Sequence, residues 1–144
     1  EGKVRRAILN LLPLELREQT VFSVEVLDGY FGDKISLLRA EHKKGSKEIL
    51  RNVLVSMGSV TRKEFLDTIE DRIDKSSNLY IRLDKQRAFL GIVELNDQDP
   101  VRFKLHVRRS SYKNSPQEMR RILMDMAKER NDPQAGNSGR EFLW

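Results

Sequence analysis

The chain contains no cysteine. That excludes a disulfide frame, a thiolate metal centre and a cysteine nucleophile, and it accords with a cytoplasmic setting. Imidazole is nearly as scarce, because only His42 and His106 carry it. No apolar run approaches the roughly 18 residues that cross a bilayer, and no charged head followed by a hydrophobic segment marks a secretory signal. A soluble protein with no membrane partner is expected. Serine-nucleophile motifs, phosphate loops and zinc-ligand spacings are missing as well. Asp28, Asp33, Asp84, Asp97 and Asp99 are numerous enough to hold magnesium. Each lies in a turn-like context where aspartate is common, and a metal site needs carboxylates that converge. The expectation is therefore no enzyme, no cofactor and no metal.

What the chain does have is a localised charge. Lys and Arg number 27 against 22 Asp and Glu, a formal excess of +5. Residues 101–113 hold Arg102, Lys104, Arg108, Arg109 and Lys113 with no acid, so the rest of the chain carries 22 of each sign. Within VRFKLHVRR (101–109), Val101, Phe103, Leu105 and Val107 alternate with Arg102, Lys104, His106 and Arg108. Successive side chains of a strand point to opposite faces, so this pattern puts one face on a core and turns a cationic one outward. A concentrated positive field is the usual footprint of a polyanion partner.

At 144 residues the chain fits one domain. The expected division is a single α+β domain over 1–130 and a turn-rich, flexible tail over 131–144. Val4, Ala7, Ile8, Leu11 and Leu12 recur at helical spacing before Pro13. Two strands, 21–27 and 34–43, flank turn residues Asp28, Gly29, Gly32 and Asp33. A helix capped by Ser46 carries Ile49, Leu50, Val53, Leu54 and Met57, and Thr61 with Glu64 fit a capping box for the next one. LYIRLD (79–84) alternates like the basic strand, and Asp84 caps a short helix ended by Gly91. Ser115, Pro116 and Glu118 open a last helix with Met119, Ile122, Leu123 and Met126 on its apolar side. The order predicts an α+β fold, a mainly antiparallel sheet with helices packed on one face and the other face open.

NLYIRLDKQRAFLG (78–91), followed by DPVRFKLHV (99–107), resembles the archaeal RNA-binding proteins described as predicted exosome-associated subunits, and LDGYFGDKISLLRA (27–40) is similar to that family's hairpin. The similarity spans roughly residues 2–109. It implies a ribosomal-protein-like fold similar to the large-subunit protein that binds 5S ribosomal RNA, a homodimer, and RNA, exosome or ribosome-related proteins as partners. Members of that family open with a strand before the first helix, whereas here a helical pattern comes first. Either that strand is absent or another segment fills its place.

The expected RNA-binding residues are Arg102, Lys104, His106, Arg108 and Arg109, with Arg82 and Tyr80 on the neighbouring strand and Lys85, Arg87 and Lys113 beside them. Cations on alternate residues lie about 6.6 Å apart along a strand, close to the phosphate repeat of a nucleic acid. The plainer alternative is a charged strand that guards an edge against aggregation. Arg39, His42, Lys43, Lys44 and Lys47 form a second, diluted patch, for which loop solvation is the simpler account. Tyr30 and Phe31 at the hairpin turn fit either an exposed contact or a folded-back core. A dimeric scaffold binding protein partners is the competing functional class.

Overall fold

Leu79, Ile81 and Leu83 are fully buried while Tyr80 and Arg82 between them face outward, so the alternation read from LYIRLD holds residue by residue. The computed structural model describes residues 2–108 and 115–129. In chain order these form α1 (Gly2–Asn10), α2 (Leu14–Arg17), β1 (Phe22–Asp28), β2 (Lys34–Ala40), α3 (Ser46–Ser56), α4 (Ser59–Asp67) and a 3-10 turn (Ile69–Arg72). Then come β3 (Asn78–Leu83), α5 (Lys85–Phe89), β4 (Val101–His106) and α6 (Pro116–Glu129). The class is α+β with antiparallel pairing. The tail over 131–144, with Arg109 and Lys113, lies outside the described residues.

One core joins α1, α3, α4 and α6 to the inner side of β3 and β4. It gathers Ala7 and Leu11, the stripe Leu50, Val53, Leu54 and Met57, then Phe65, Leu66 and Ile69, and the α6 stripe Met119, Ile122, Leu123 and Met126. Long-range polar contacts lock the helix ends into this packing. Asn52 donates to the Leu11 carbonyl (3.0 Å), Asn10 to the carbonyls of Ala88 (3.0 Å) and Phe89 (3.1 Å), and Arg120 to that of Leu66 (3.1 Å). Each satisfies a carbonyl that a helix or turn end leaves open.

The helix starts differ in detail from the sequence expectation. Gly45 occupies the cap position of α3 with φ 92°, and an added Cβ there would meet Leu16 at 3.0 Å, so Ser46 is the first helical residue. Only Met57 and Gly58 separate α3 from α4, which therefore begins at Ser59 and carries Thr61 inside its first turn. The Thr61–Glu64 capping box is not formed. Instead Arg62 reaches back and donates to the carbonyls of Leu54 (3.0 Å), Met57 (3.1 Å) and Val55 (3.3 Å), closing the end of α3. Ser115 does cap α6, its hydroxyl accepting the Glu118 N–H at 3.2 Å.

The strands form two separate two-stranded sheets, β1–β2 and β3–β4, rather than one. β2 ends at Ala40, short of the expected residue 43. The β1–β2 register places Val24 opposite Leu38 and Leu27 opposite Ile35, so the hairpin carries apolar side chains on both faces. A strand that is apolar on both faces cannot bury both against a single core. Val24, Val26, Leu27 and Ile35 stay exposed, and at the turn Tyr30 and Phe31 are 96% and 86% exposed with their rings edge to face.

Candidate nucleic-acid interface

The β3–β4 register brings the predicted side chains together on the side away from the core. Asn78 pairs with His106, Tyr80 with Lys104 and Arg82 with Arg102. Val107 extends the pattern beyond β4: it is fully buried, its N–H bonds the Ser77 carbonyl at 2.8 Å, and Arg108 is exposed. Directly opposed side chains on an antiparallel pair stand about 5 Å apart at Cβ, and like charges in that position repel. Arg82 facing Arg102 is therefore an unfavourable pair that an intervening anion would relieve.

Counter-charge reaches only part of this surface. Gly91, at φ 82°, turns the chain after α5, and the following segment runs back along β3. The Asp84 N–H bonds the Glu94 carbonyl (2.7 Å), the Asn96 N–H bonds the Arg82 carbonyl (3.1 Å), and Leu95 bridges to Leu83. This path lays the connector 96–100 beside the basic face. Asp97 comes within 3.9 Å of the Arg82 guanidinium, and Asp99, at φ 46°, bonds the Lys85 ammonium at 2.9 Å. Arg87 lies 3.6 Å from Glu94. Among the described residues no carboxylate pairs with Arg102, Lys104 or Arg108.

Tyr80 is held rather than loose. Its hydroxyl donates to Asp74 Oδ2 at 2.8 Å, while Asp74 Oδ1 accepts the backbone N–H groups of Asn78 and Ser76, each at 2.9 Å. The Asn78 N–H leads these donors, with the Tyr80 hydroxyl, the Asn78 amide and the Ser76 N–H following, and against some desolvation they hold the Asp74 carboxyl down at about 2. The same carboxylate, by accepting the hydrogen bond of the phenol, raises the Tyr80 hydroxyl above its ordinary value. Tyr80 thus stays neutral, its hydroxyl anchored, and 36% exposed opposite Lys104. His106 Nδ1 lies 3.4 Å from the Asn78 side-chain oxygen.

Asp84 has the expected capping role. Its carboxylate accepts the Arg87 N–H (2.8 Å) and the Asn96 amide (2.9 Å), and the Arg87 bond foremost lowers its pKa. In the second patch Arg39 pairs with Glu25 (3.3 Å) across the hairpin, and His42 bonds the Thr20 hydroxyl (3.0 Å). Among the described residues no three His, Asp or Glu side chains gather as a metal site would require, and no helix is long and apolar enough to cross a membrane. Sequence reasoning missed Asp74 and Asn78. Their signal was present in DKSSN (74–78), an Asp placed to accept the backbone N–H groups two and four residues on.

Helices backing an antiparallel strand pair, with cations on its uncovered side, define an α+β protein carrying the electrostatic pattern of polyanion binders. Residues 1–107 match the model of a family described as RNA binding, and the chain belongs to that family. It is 34% identical over 109 residues to the RNA-binding protein PAB1135 of Pyrococcus abyssi, covering 74% of this chain and 69% of that one. Among solved structures it is similar to protein AF2318 of Archaeoglobus fulgidus, with TM-score 0.68, 33% identity and 87% of each chain covered. Mth689 of Methanothermobacter thermautotrophicus gives TM-score 0.62 and 26% identity over 88% of this chain and 86% of its own.

Proposed function

We propose that this chain is a non-catalytic RNA-binding protein that holds RNA phosphates on the outward face of β3 and β4. Membership of the RNA-binding family supports the ligand. The observation that carries the binding mode is Arg82 set directly opposite Arg102 on an uncovered face, with Lys104 next along the strand. Arg102, Lys104 and Arg108 are the primary phosphate contacts. Arg82, Lys85 and Arg87 stand beside them, each held by a carboxylate, His106 and Tyr80 line the path, and Arg109 and Lys113, outside the described residues, complete the set.

Each phosphate contact on single-stranded RNA contributes a log-log salt slope of about −0.7, so the three unpaired cations give about −2.1. Affinity then falls roughly twentyfold between about 50 and 200 mM salt. The test is a titration of labelled RNA with the wild type and with Arg102→Ala/Lys104→Ala/Arg108→Ala. The variant should keep its circular dichroism spectrum and lose most of the salt dependence. An unchanged slope would remove this face from the binding mode.

A second reading, a dimeric scaffold, draws support from the β1–β2 hairpin. Its apolar side chains are exposed on both faces, and an isolated two-stranded hairpin is marginal in water. In that reading the hairpin joins two copies or meets a protein partner, which is also how the exosome or ribosome-related association implied by the resemblance would be made.

A further inference from the structure

α1 and α5 leave between them a groove of about 480 Å³ lined by Lys3, Val4, Lys85, Gln86, Phe89 and Leu90. That size falls within the range of about 300–1,000 Å³ of small-ligand clefts. Hydrogen bonds hold its frame: Asp84 caps the start of α5, and Asn10 of α1 donates to the Ala88 and Phe89 carbonyls. Ala88 is fully buried, yet Phe89 beside it is 39% exposed. The fold thus fixes the Phe89 backbone while leaving its ring at the surface.

Three kinds of chemistry meet there. Phe89 offers an aromatic face, over which the Lys3 ammonium sits 5.8 Å from the ring centroid. The Gln86 side chain is exposed and its amide has no hydrogen-bond partner among the described residues, leaving a donor and an acceptor free. Lys3 and Lys85 line the groove, and the Lys85 ammonium is paired with the largely solvated Asp99. An apolar peptide would use the walls but has no need of the carboxamide and both ammonium groups. A nucleotide uses all of them. The connector links the groove to the strand face, touching Lys85 through Asp99 and Arg82 through Asp97.

We propose that this groove receives one unpaired RNA nucleotide, its base stacked on Phe89 in place of the Lys3 ammonium and hydrogen-bonded along its edge by Gln86, with the displaced Lys3 on a flanking phosphate. The proposal rests on the RNA-binding reading of the strand face and deepens it by naming the ligand class as RNA with a single-stranded stretch. A base inside a duplex has both faces covered by its neighbours and offers none to Phe89.

The test uses the full chain, a labelled single-stranded RNA of mixed sequence, and the same strand annealed to its complement. Phe89→Leu keeps the apolar volume and removes the ring, so single-strand affinity should drop on the order of tenfold at an unchanged salt slope. Duplex affinity should not move. Gln86→Ala, at an exposed side chain, should weaken single-strand binding by a smaller factor, and bromouridine cross-links formed by the wild type should map to the peptide carrying Phe89. Full single-strand affinity in both variants, or equal losses on both RNAs, overturns the proposal and leaves the groove to a protein partner or to none. If the wild type binds neither RNA, the RNA-binding reading itself fails. If Arg102→Ala/Lys104→Ala/Arg108→Ala weakens binding while Phe89→Leu does not, only the groove assignment fails.

Discussion

Neutralising Asp97 and Asp99 should make the protein bind RNA more tightly. In the free chain their carboxylates lie 3.9 Å from the Arg82 guanidinium and 2.9 Å from the Lys85 ammonium, where they compete with phosphate oxygens for the same cations. Both acids are well solvated, with side chains 84% and 89% exposed, so each pair is of the weak surface kind, worth about 0.2–1 kcal/mol. Removing both adds about 0.4–2 kcal/mol to RNA binding, roughly a twofold to thirtyfold gain in affinity. The slope gives a second, independent signature. With Arg82 and Lys85 released to join Arg102, Lys104 and Arg108, it steepens by about 1.4. The assay is fluorescence anisotropy of a labelled, unstructured RNA titrated with Asp97→Asn/Asp99→Asn at several salt concentrations. Glu15→Gln/Asp33→Asn raises the net charge equally, at exposed sites on α2 and the hairpin turn, and serves as the control. An unchanged slope, or an equal gain in the control, would refute local competition and leave only a net-charge effect.

Two further outcomes follow from the same geometry. Asp74 ionises at about 2 in the folded chain against 3.8 ordinarily, so its stabilising contribution is present above pH 3.8 and is lost as pH falls through about 2. Asp74→Asn should flatten that part of the acid-unfolding curve, and it should also lower the phenolic pKa of Tyr80 in an ultraviolet tyrosine titration; an unmoved titration would mean that Asp74 does not hold the ring. If the hairpin joins two copies, Val26→Ser/Phe31→Ser should shift the chain to monomer in light scattering while RNA affinity per chain stays within about twofold, because neither residue lies on the basic face. A wild type that is already monomeric at the concentrations used would set the dimer aside.

Much of the candidate interface was legible before any coordinates. Strand geometry alone assigns Leu79, Ile81 and Leu83 to one side and Tyr80 and Arg82 to the other, and it does the same for Val101–Arg108, because a period of two is a property of the backbone. Asp84 and Ser115 were readable as caps for a similar reason, since a side-chain oxygen at the start of a helix reaches an N–H two or three residues on. Thr61 misled because its helix was already under way, forced two residues earlier by the short break after α3. The hairpin misled in another way. Each strand alternates on its own terms, but the register sets Ile35 opposite Leu27 and not beside Val24 and Val26, which leaves apolar side chains on both faces and no single core to cover them.

The sequence by itself determined which side chains share a face, where the positive charge is concentrated and which residues cap the short helices, because those properties are settled by neighbours within a few positions. Tertiary structure decided that Arg82 stands against Arg102, that Asp97 and Asp99 return to Arg82 and Lys85, that Lys3 meets Phe89 across more than eighty residues, and that the hairpin remains apart from β3 and β4. Each of these joins segments that are distant along the chain. Their meeting is set by how the whole core packs, which no local pattern encodes.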